Sequence, residues 1–441
     1  MVDTSREFAS SLSQRLAQRT ARIGIVGLGY VGLPTAVAFA DAGFEVVGVE
    51  SSDSRRSGVN DGQSHVEGVE STTLRELVQA GRLRAVTRLA DAGALDVVDI
   101  CVPTPLDKSR DPDVSAILSV VREIPAVLRA GQLLILTSTT YPGMTVELLV
   151  PAVEAAGYIV GKDIFIAFAP ERIDPGNREF GIRNTPRVVG GVTDACTRLA
   201  AVLFETVVDR VVPVSSPTAA EMSKLLENTF RHVNIALANE VAIMCRLLNL
   251  DVWEVIAAAA TKPYGFMPFY PGPGLGGHCI PVDPSYLSWK LRGLNYSARF
   301  IALADDINRH MPEYVVSRVG EVLNLYSKSL RGSKVLVLGV AYKANIADLR
   351  ESPAIDVLAL LRRAGVQVSY ADPHVPGPID LEGGPLSAVD LSAGVIKTQD
   401  LVVITTAHDE FDWEAIRKNA RTVLDTRGWS RGRQLPDWHT L

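Results

Sequence analysis

Residues 22–50 read RIGIVGLGYVGLPTAVAFADAGFEVVGVE. The stretch opens as a short apolar strand, 22–29, that runs into glycines. VGLPTAVAFADAG follows with helical texture and stops at Gly43, and FEVVGVE is strand again. Strand, helix and strand in close succession form a β-α-β unit, which predicts a parallel sheet with a right-handed crossover.

The turn itself carries chemistry. Gly27, Gly29 and Gly32, with Leu28, Tyr30 and Val31 between them, fit the spacing GxGxxG. Such glycines let the backbone approach a pyrophosphate, and the helix that opens there offers free N–H groups and positive partial charge. Glu50 ends the second strand about twenty residues on, where a carboxylate accepts ribose hydroxyls and repels a 2′-phosphate. Gly27, Gly29, Tyr30, Val31, Gly32 and Glu50 are therefore expected to bind NAD rather than NADP. Arg55 lies just past Glu50. It either weakens that preference or is a solvated surface charge.

Working outward, LDVVDICVP (95–103), QLLILTSTT (132–140), IFIAFAPE (164–171) and RVVGG (187–191) read as further strands, with a helix over VSAILSVVREIPAVL. From about Ser216 the texture changes. SPTAAEMSKLLENTFRHVNIALANEVAIMCRLLNL has no glycine and keeps apolar residues at helical spacing. It predicts one long helix, capped by Ser216 or Thr218. Strand texture returns at RGSKVLVLGVAYK (331–343) and continues through VQVSYADP, DLVVITTA and TVLDTRG.

The predicted fold class is thus α/β, with two Rossmann-like doubly wound domains joined by a central helical domain that holds one long helix. The expected boundaries are a polar helical N-terminal extension over 1–20, a dinucleotide-binding domain over 21–214, a helical domain over 215–330 and a second Rossmann-like domain over 331–441. The second has Gly339-Val340-Ala341 where the first has GxGxxG, so a second dinucleotide is not expected there.

The chain has 441 residues, 47% of them hydrophobic and 21% charged, enough to bury a substantial core. A net charge of −6 argues against nucleic acid or an anionic membrane as the main partner. Cys101, Cys196, Cys245 and Cys279 make no CxxC pair and no metal-finger spacing, so neither a metal site nor a disulfide framework is expected. No run approaches about 18 apolar residues, and the N-terminus lacks the apolar segment of a secretory signal. A cytoplasmic protein with reduced thiols is expected.

PGPGLGGHCIPVDP, residues 271–284, frames Cys279 behind Gly276 and Gly277, with Asp283 four residues on. A thiol there reads either as a small buried hydrophobe, as Cys101, Cys196 and Cys245 do, or as a nucleophile that substrate and cofactor can approach closely. His278 reads as structural. Lys224 and Asn228 are four apart and share a helix face, which suits an oxyanion. From spacing alone, an exposed lysine beside a surface asparagine is the simpler reading. Thr137–Thr140 and Glu171 end strands of the first domain, at the edge where doubly wound sheets bind ligands.

Taken together, GLGYVGLP, VPTPLD, STTYPG, APERIDPG, EMSKLLENTFR, PGPGLGGHCIPVDP and GVAYKANIADLRESP resemble the nucleoside-diphosphate-sugar 6-dehydrogenases, over about residues 22 to 430. APERIDPG is similar to the branch acting on UDP-N-acetylhexosamines, especially UDP-N-acetylglucosamine. The resemblance implies a four-electron oxidation of the sugar C6 alcohol by NAD, through an aldehyde, a thiohemiacetal on Cys279 and a thioester that is hydrolysed. It implies that Lys224 and Asn228 hold the oxyanion and that Asp283 assists Cys279 or the water. Thr139 and Glu171 would position a catalytic water. Thr104, Thr139 and Arg350 would touch the cofactor, and Arg172, Gly276, Lys343 and Arg427 the UDP-sugar. It implies a homodimer or higher homo-oligomer. One departure stands out: TKPYGFMPFYPG carries Lys262 but no arginine, where many members send an arginine into a neighbouring active site. Within the resemblance, UDP-glucose and UDP-N-acetylgalactosamine are the alternative sugars; outside it stand a two-electron hydroxyacid-type dehydrogenase, which leaves Cys279 unexplained, and a non-catalytic NAD or UDP-sugar sensor.

Overall fold

The computed structural model describes residues 4–107, 109–174, 177, 179–433 and 435–441. The chain divides into two compact units, residues 1–227 with 285–294, and residues 228–284 with 295–441.

The first unit is built on eight strands: β1 Arg22–Val26, β2 Glu45–Val49, β3 Leu83–Val86, β4 Val97–Ile100, β5 Gln132–Leu136, β6 Ile164–Phe168, β7 Arg187–Gly191 and β8 Val211–Val214. They lie in the order β3-β2-β1-β4-β5-β6-β7-β8, and every neighbouring pair is parallel except β6 with β7. Ile23 of β1 pairs with Val46 on one side and Val97 on the other, so the strand order reverses at β1. That reversal leaves a crevice at the carboxyl ends of β1 and β4, the place where such sheets take ligands. Strands β4, β5 and β6 are buried at every residue, because helices cover both faces. Alternate residues feed two cores. Ile23, Val97, Leu133 and Phe165 enter one, and Val26, Val98, Leu134 and Ile166 the other.

The N-terminal stretch, expected as a polar extension, forms a helix over Thr4–Ala17 that buries Leu12 and Leu16 completely. Phe8 packs against the same core, and Arg15 pairs with Asp96. These three apolar residues are four apart, one face of a helix. Neither β3 nor β8 announces itself in the sequence. β8 contains Pro213, which an outer strand tolerates.

The long helix runs unbroken over Pro217–Leu247, as its lack of glycine predicts. Ser216 rather than Thr218 caps it, its Oγ accepting the Ala219 N–H at 3.2 Å, with Pro217 in the first helical position.

The second unit holds five parallel strands: β9 Lys334–Leu338, β10 Gln367–Ala371, β11 Leu401–Ile404, β12 Val423–Asp425 and β13 Trp438–Thr440, in the order β10-β9-β11-β12-β13. Helices Arg299–Leu325 and Pro353–Arg363 pack against it, burying Met311, Val315, Val357 and Leu361 against Val335 and Val337. Among the described residues no helix is long and apolar enough to cross a membrane.

Candidate active site

In the first unit each glycine of the turn has a separate reason to lack a side chain. Gly27 has φ +91°, and a Cβ there would lie 2.7 Å from the Cys101 carbonyl oxygen. A Cβ at Gly32 would lie 1.7 Å from the Gly27 oxygen, so that glycine lets the helix pack onto the strand. A Cβ at Gly29 would meet nothing within 4 Å. That side of the turn is open to a ligand. The helix Gly32–Asp41 starts at Val31 with no side-chain cap; Leu33 N–H already donates to the Gly29 oxygen at 3.0 Å and Pro34 carries no N–H, so what the helix start offers a ligand is chiefly its positive partial charge. Glu50 is buried at the end of β2, its two oxygens accepting the Leu28 N–H at 3.2 Å and the Ser52 N–H at 2.9 Å. The carboxylate is thereby fixed beside the turn, and the open glycine, the uncapped helix and this acceptor fit a dinucleotide. Tyr30 is half exposed, Arg55 is exposed on helix Asp53–Asn60, and Thr104 is buried in the loop after β4.

Glu171 follows β6. One oxygen accepts the N–H groups of Arg172 and Ile173 at 2.7 and 2.8 Å, and the other pairs with Arg187 of β7. Burial alone pulls this carboxyl up, but Arg187 and the two N–H groups outweigh it and hold it below the ordinary carboxylate range. Glu171 is therefore a fixed anion and a weak base at neutral pH. Lys224 Nζ donates to the Glu171 main-chain oxygen at 2.7 Å, so the structure brings these two together. Arg172 pairs with Glu227 at 2.7 Å and donates to the Pro186 oxygen. Of the APERIDPG motif, Pro175 and Gly176 lie outside the described residues.

Thr139 is half-buried in the loop after β5. Two residues that motif reading passed over shape this region. Arg187, 5% exposed, ties Glu171 to Thr137 Oγ1 at 3.4 Å. Glu221, fully buried on the long helix, accepts from the Gly143 N–H at 2.5 Å, the Thr145 N–H at 2.9 Å and the Thr145 hydroxyl at 2.6 Å. It clamps the STTYPG loop to that helix. The chemical signal was a charge in a helix whose apolar residues recur at helical spacing.

In the second unit Cys279 is exposed, while Cys245 is buried; Cys101 and Cys196 of the first unit are buried too. The Cys279 carbonyl accepts the Val282 and Asp283 N–H groups at 3.2 and 2.8 Å, which opens helix Asp283–Arg292 directly after the thiol. Asp283 is 2% exposed and accepts a hydrogen bond from Asn228 Nδ2. Cys279, Asp283 and Asn228 are thus gathered by one turn of chain and one helix. The glycines of the loop are bare because the second unit presses on them. A Cβ at Gly276 would lie 2.7 Å from the Glu351 oxygen, and one at Gly277, with φ +92°, would lie 2.8 Å from the Tyr342 ring. Gly277 N–H donates to the Arg350 oxygen at 3.0 Å. Asn239 accepts the Gly272 N–H at 2.9 Å and donates to Asn308 at 2.9 Å, fixing the front of the loop. His278 is held neutral by burial and by Arg350 beside it.

Arg427 reaches the same loop: a Cβ at Gly272 would lie 2.7 Å from its Nη1. Its Nε donates to the Thr405 oxygen at 2.7 Å, and burial brings its guanidinium down to about 10, still charged at neutral pH. Lys343 is half-buried in the loop after β9. Arg350 is exposed and engages Asp348 through two nitrogens, at 2.9 and 2.5 Å. His374, His408 and Glu410 also gather in this unit, but the His408 ring nitrogens already face the Asn345 N–H and Asp372 at 2.9 and 3.0 Å.

Residues 21–208 match the NAD-binding domain of the UDP-glucose/GDP-mannose dehydrogenase family, residues 218–310 its central domain and residues 336–431 its UDP-binding domain. The UDP-N-acetyl-D-mannosamine dehydrogenase of Pyrococcus horikoshii is 36% identical over 413 residues, spanning 92% of this chain and 95% of that protein. The UDP-N-acetyl-D-glucosamine 6-dehydrogenase of Pseudomonas aeruginosa is 34% identical over 392 residues, 88% of this chain and 91% of that protein. The solved UDP-D-ManNAc dehydrogenase of Pyrococcus horikoshii superposes with a TM-score of 0.86 at 34% identity, covering 95% of this chain and 98% of that one. The open glycine turn with its buried acceptor, the exposed thiol and the matched domains agree: the chain belongs to the UDP-glucose/GDP-mannose dehydrogenase family and is an NAD-dependent oxidoreductase of the UDP-sugar dehydrogenase kind.

Proposed function

We propose that the protein oxidises the C6 hydroxyl of a UDP-2-acetamido-hexose to a carboxylate, with Cys279 as covalent carrier. The observation that carries this is the exposed Cys279 thiol on a glycine loop, one turn from the buried Asp283–Asn228 pair. The alcohol loses a proton and a hydride to become an aldehyde. The Cys279 thiolate adds to that aldehyde, and the thiohemiacetal loses a second proton and hydride to become a thioester. Water cleaves the thioester, releasing the carboxylate and the thiol. Gly27, Gly29, Tyr30, Val31, Gly32 and Glu50, with Thr104, Thr139 and Arg55 as further contacts, would hold NAD, and two NAD molecules in turn would take up the two hydrides.

Lys224 and Asn228 stabilise the oxyanion as it develops. Asp283, buried against Asn228 and adjacent to the Cys279 turn, steadies the asparagine and receives the thiol proton or orients the water. Glu171 is a poor base while Arg187 holds it as an anion, so with Thr139 it orients the attacking water rather than storing a proton. Arg427 and Lys343 suit the diphosphate as charge-assisted donors, and Gly276 and Arg172 complete the substrate contacts. The acetamido class rests on the relatives named for mannosamine and glucosamine. The long helix exposes Phe230, Leu237 and Met244, seven residues apart, a stripe suited to a second copy of the chain. A homodimer is the assembly this supports.

The test is NADH formed per sugar consumed, with limiting UDP-N-acetylmannosamine, UDP-N-acetylglucosamine or UDP-glucose, beside Cys279→Ser. Two NADH from an acetamido sugar, and a variant that forms no carboxylate, are expected. One NADH per sugar, or a fully active variant, overturns the covalent role. Turnover confined to UDP-glucose overturns the acetamido class.

A further inference from the structure

The second unit holds a cation-lined cleft of about 460 Å³ that the proposed chemistry does not use; neither Cys279, Lys343 nor Arg427 borders it. Arg246 enters from the end of the long helix, Arg318 from helix Arg299–Leu325, and Arg431 and Arg433 from the turn after β12. Trp253 and His439 are among the other residues of its wall.

Among the described side chains that line the cleft, positive charge is in excess. Glu321 serves both Arg318 and Arg246, the latter at 3.3 Å, so one carboxylate answers two guanidinium groups. Arg431 lies over the Tyr270 ring at 5.2 Å and Arg433 over the Trp429 ring at 4.2 Å, and neither has an ion-pair partner among the described residues. Asp251 borders the cleft, but it is spent capping the next helix, accepting the Trp253 N–H at 2.9 Å. Burial first, then Arg318 and Arg246, push the His439 imidazolium down against the opposing pull of Asp437.

The hydrogen bonds do not balance either. Arg318 is 4% exposed and Trp253 2% exposed. Arg318 donates through Nη2 to the Thr440 oxygen at 3.0 Å, yet its Nε has no partner among the described residues, nor have Trp253 Nε1 and His439 Nε2. Buried polar groups are nearly always satisfied, and these three unsatisfied atoms belong to residues that line one cleft. Guanidinium forks match phosphate oxygens, and the size of the cleft and its tryptophan wall suit a ligand larger than a bare oxyanion.

We propose that this cleft binds a phosphate-bearing ligand at a site of its own, apart from the residues assigned to substrate. The inference stands whether or not the sugar assignment holds. The test is calorimetric titration of the full chain, kept saturated with NAD and UDP, with inorganic pyrophosphate and then with ADP. The comparison is Arg431→Gln/Arg433→Gln, two exposed positions whose replacement leaves the core untouched. Pyrophosphate is expected to bind the wild type and to weaken ~10-fold or more in the double variant, the scale of lost charge-assisted contacts, with the UDP affinity unchanged. ADP binding more tightly than pyrophosphate identifies a nucleotide ligand, and equal binding a free phosphate; both uphold the site. Binding unchanged in the double variant places the anion elsewhere and overturns the proposal. So does an absence of binding to the wild type.

Discussion

Asp99 stands in the middle of β4, between Ile25 of β1 and Ile135 of β5, with no exposure. Burial pushes its carboxyl from 3.8 up to about 6, against the pull of the Arg187 guanidinium and of the Thr137 hydroxyl and Cys101 thiol beside it. The folded chain therefore favours the protonated acid. Its contribution to stability is fully present below pH 3.8 and is lost as the pH rises through about 6, after which the loss is constant. A displacement of that size costs the anion about 3 kcal/mol. Asp99→Asn keeps the shape and removes the titration. At pH 4 the variant and the wild type should melt together, and at pH 8 the variant should be the more stable by up to about 3 kcal/mol, roughly 5–10 °C. That figure is a ceiling, since the variant also forfeits the attraction of the anion for Arg187. Thermal unfolding without ligand at the two pH values reads the difference. An equal gap at both would refute the reasoning, because the effect would then not come from ionisation. A variant less stable at pH 8 would refute it too, by showing that Arg187 outweighs burial.

Gly277→Ala must place a Cβ at φ +92° and 2.8 Å from the Tyr342 ring. A backbone cost of about 1–3 kcal/mol and a displaced Cys279 should lower kcat well before the chain unfolds, and a variant with wild-type kcat would show that the loop yields freely. Leu237→Glu puts a charge in the middle of the exposed stripe of the long helix, where the wild-type leucine is 55% exposed. Sedimentation should then read half the wild-type mass, and an unchanged mass would move the dimer interface elsewhere.

The glycine turn was legible because each of its glycines answers a local need. Spacing alone separates a turn that requires positive φ at Gly27, a close helix packing at Gly32 and an open approach at Gly29. The long helix was legible for the converse reason: the absence of glycine over many turns leaves the backbone one regular choice. Arg187 was not legible. It opens RVVGG, which reads as an ordinary buried strand, and it becomes the counterion of Glu171 only because β7 lies beside β6. Glu221 hides in the same way, since its partners Gly143 and Thr145 sit far back in the chain and a helical glutamate looks solvated. Asp99 also escaped, inside a run that reads only as hydrophobic strand.

The glycine loop before Cys279 shows why such gaps arise. Sequence reading assigns its bareness to the approach of substrate and cofactor. In the structure Gly276 and Gly277 are bare because Tyr342, Glu351 and Pro353 already press on them, and Gly277 hands its N–H to the Arg350 oxygen. The motifs PGPGLGGHCIPVDP and GVAYKANIADLRESP are thus two sides of one packing surface, far apart in the chain. The loop that carries the thiol is held at Gly276 and Gly277 by contacts that the second motif supplies. A change at Tyr342 should therefore disturb Cys279 as surely as a change in its own loop, and a smaller residue at Tyr342 relieves the contact that Gly277→Ala creates while leaving the strain of its positive φ in place.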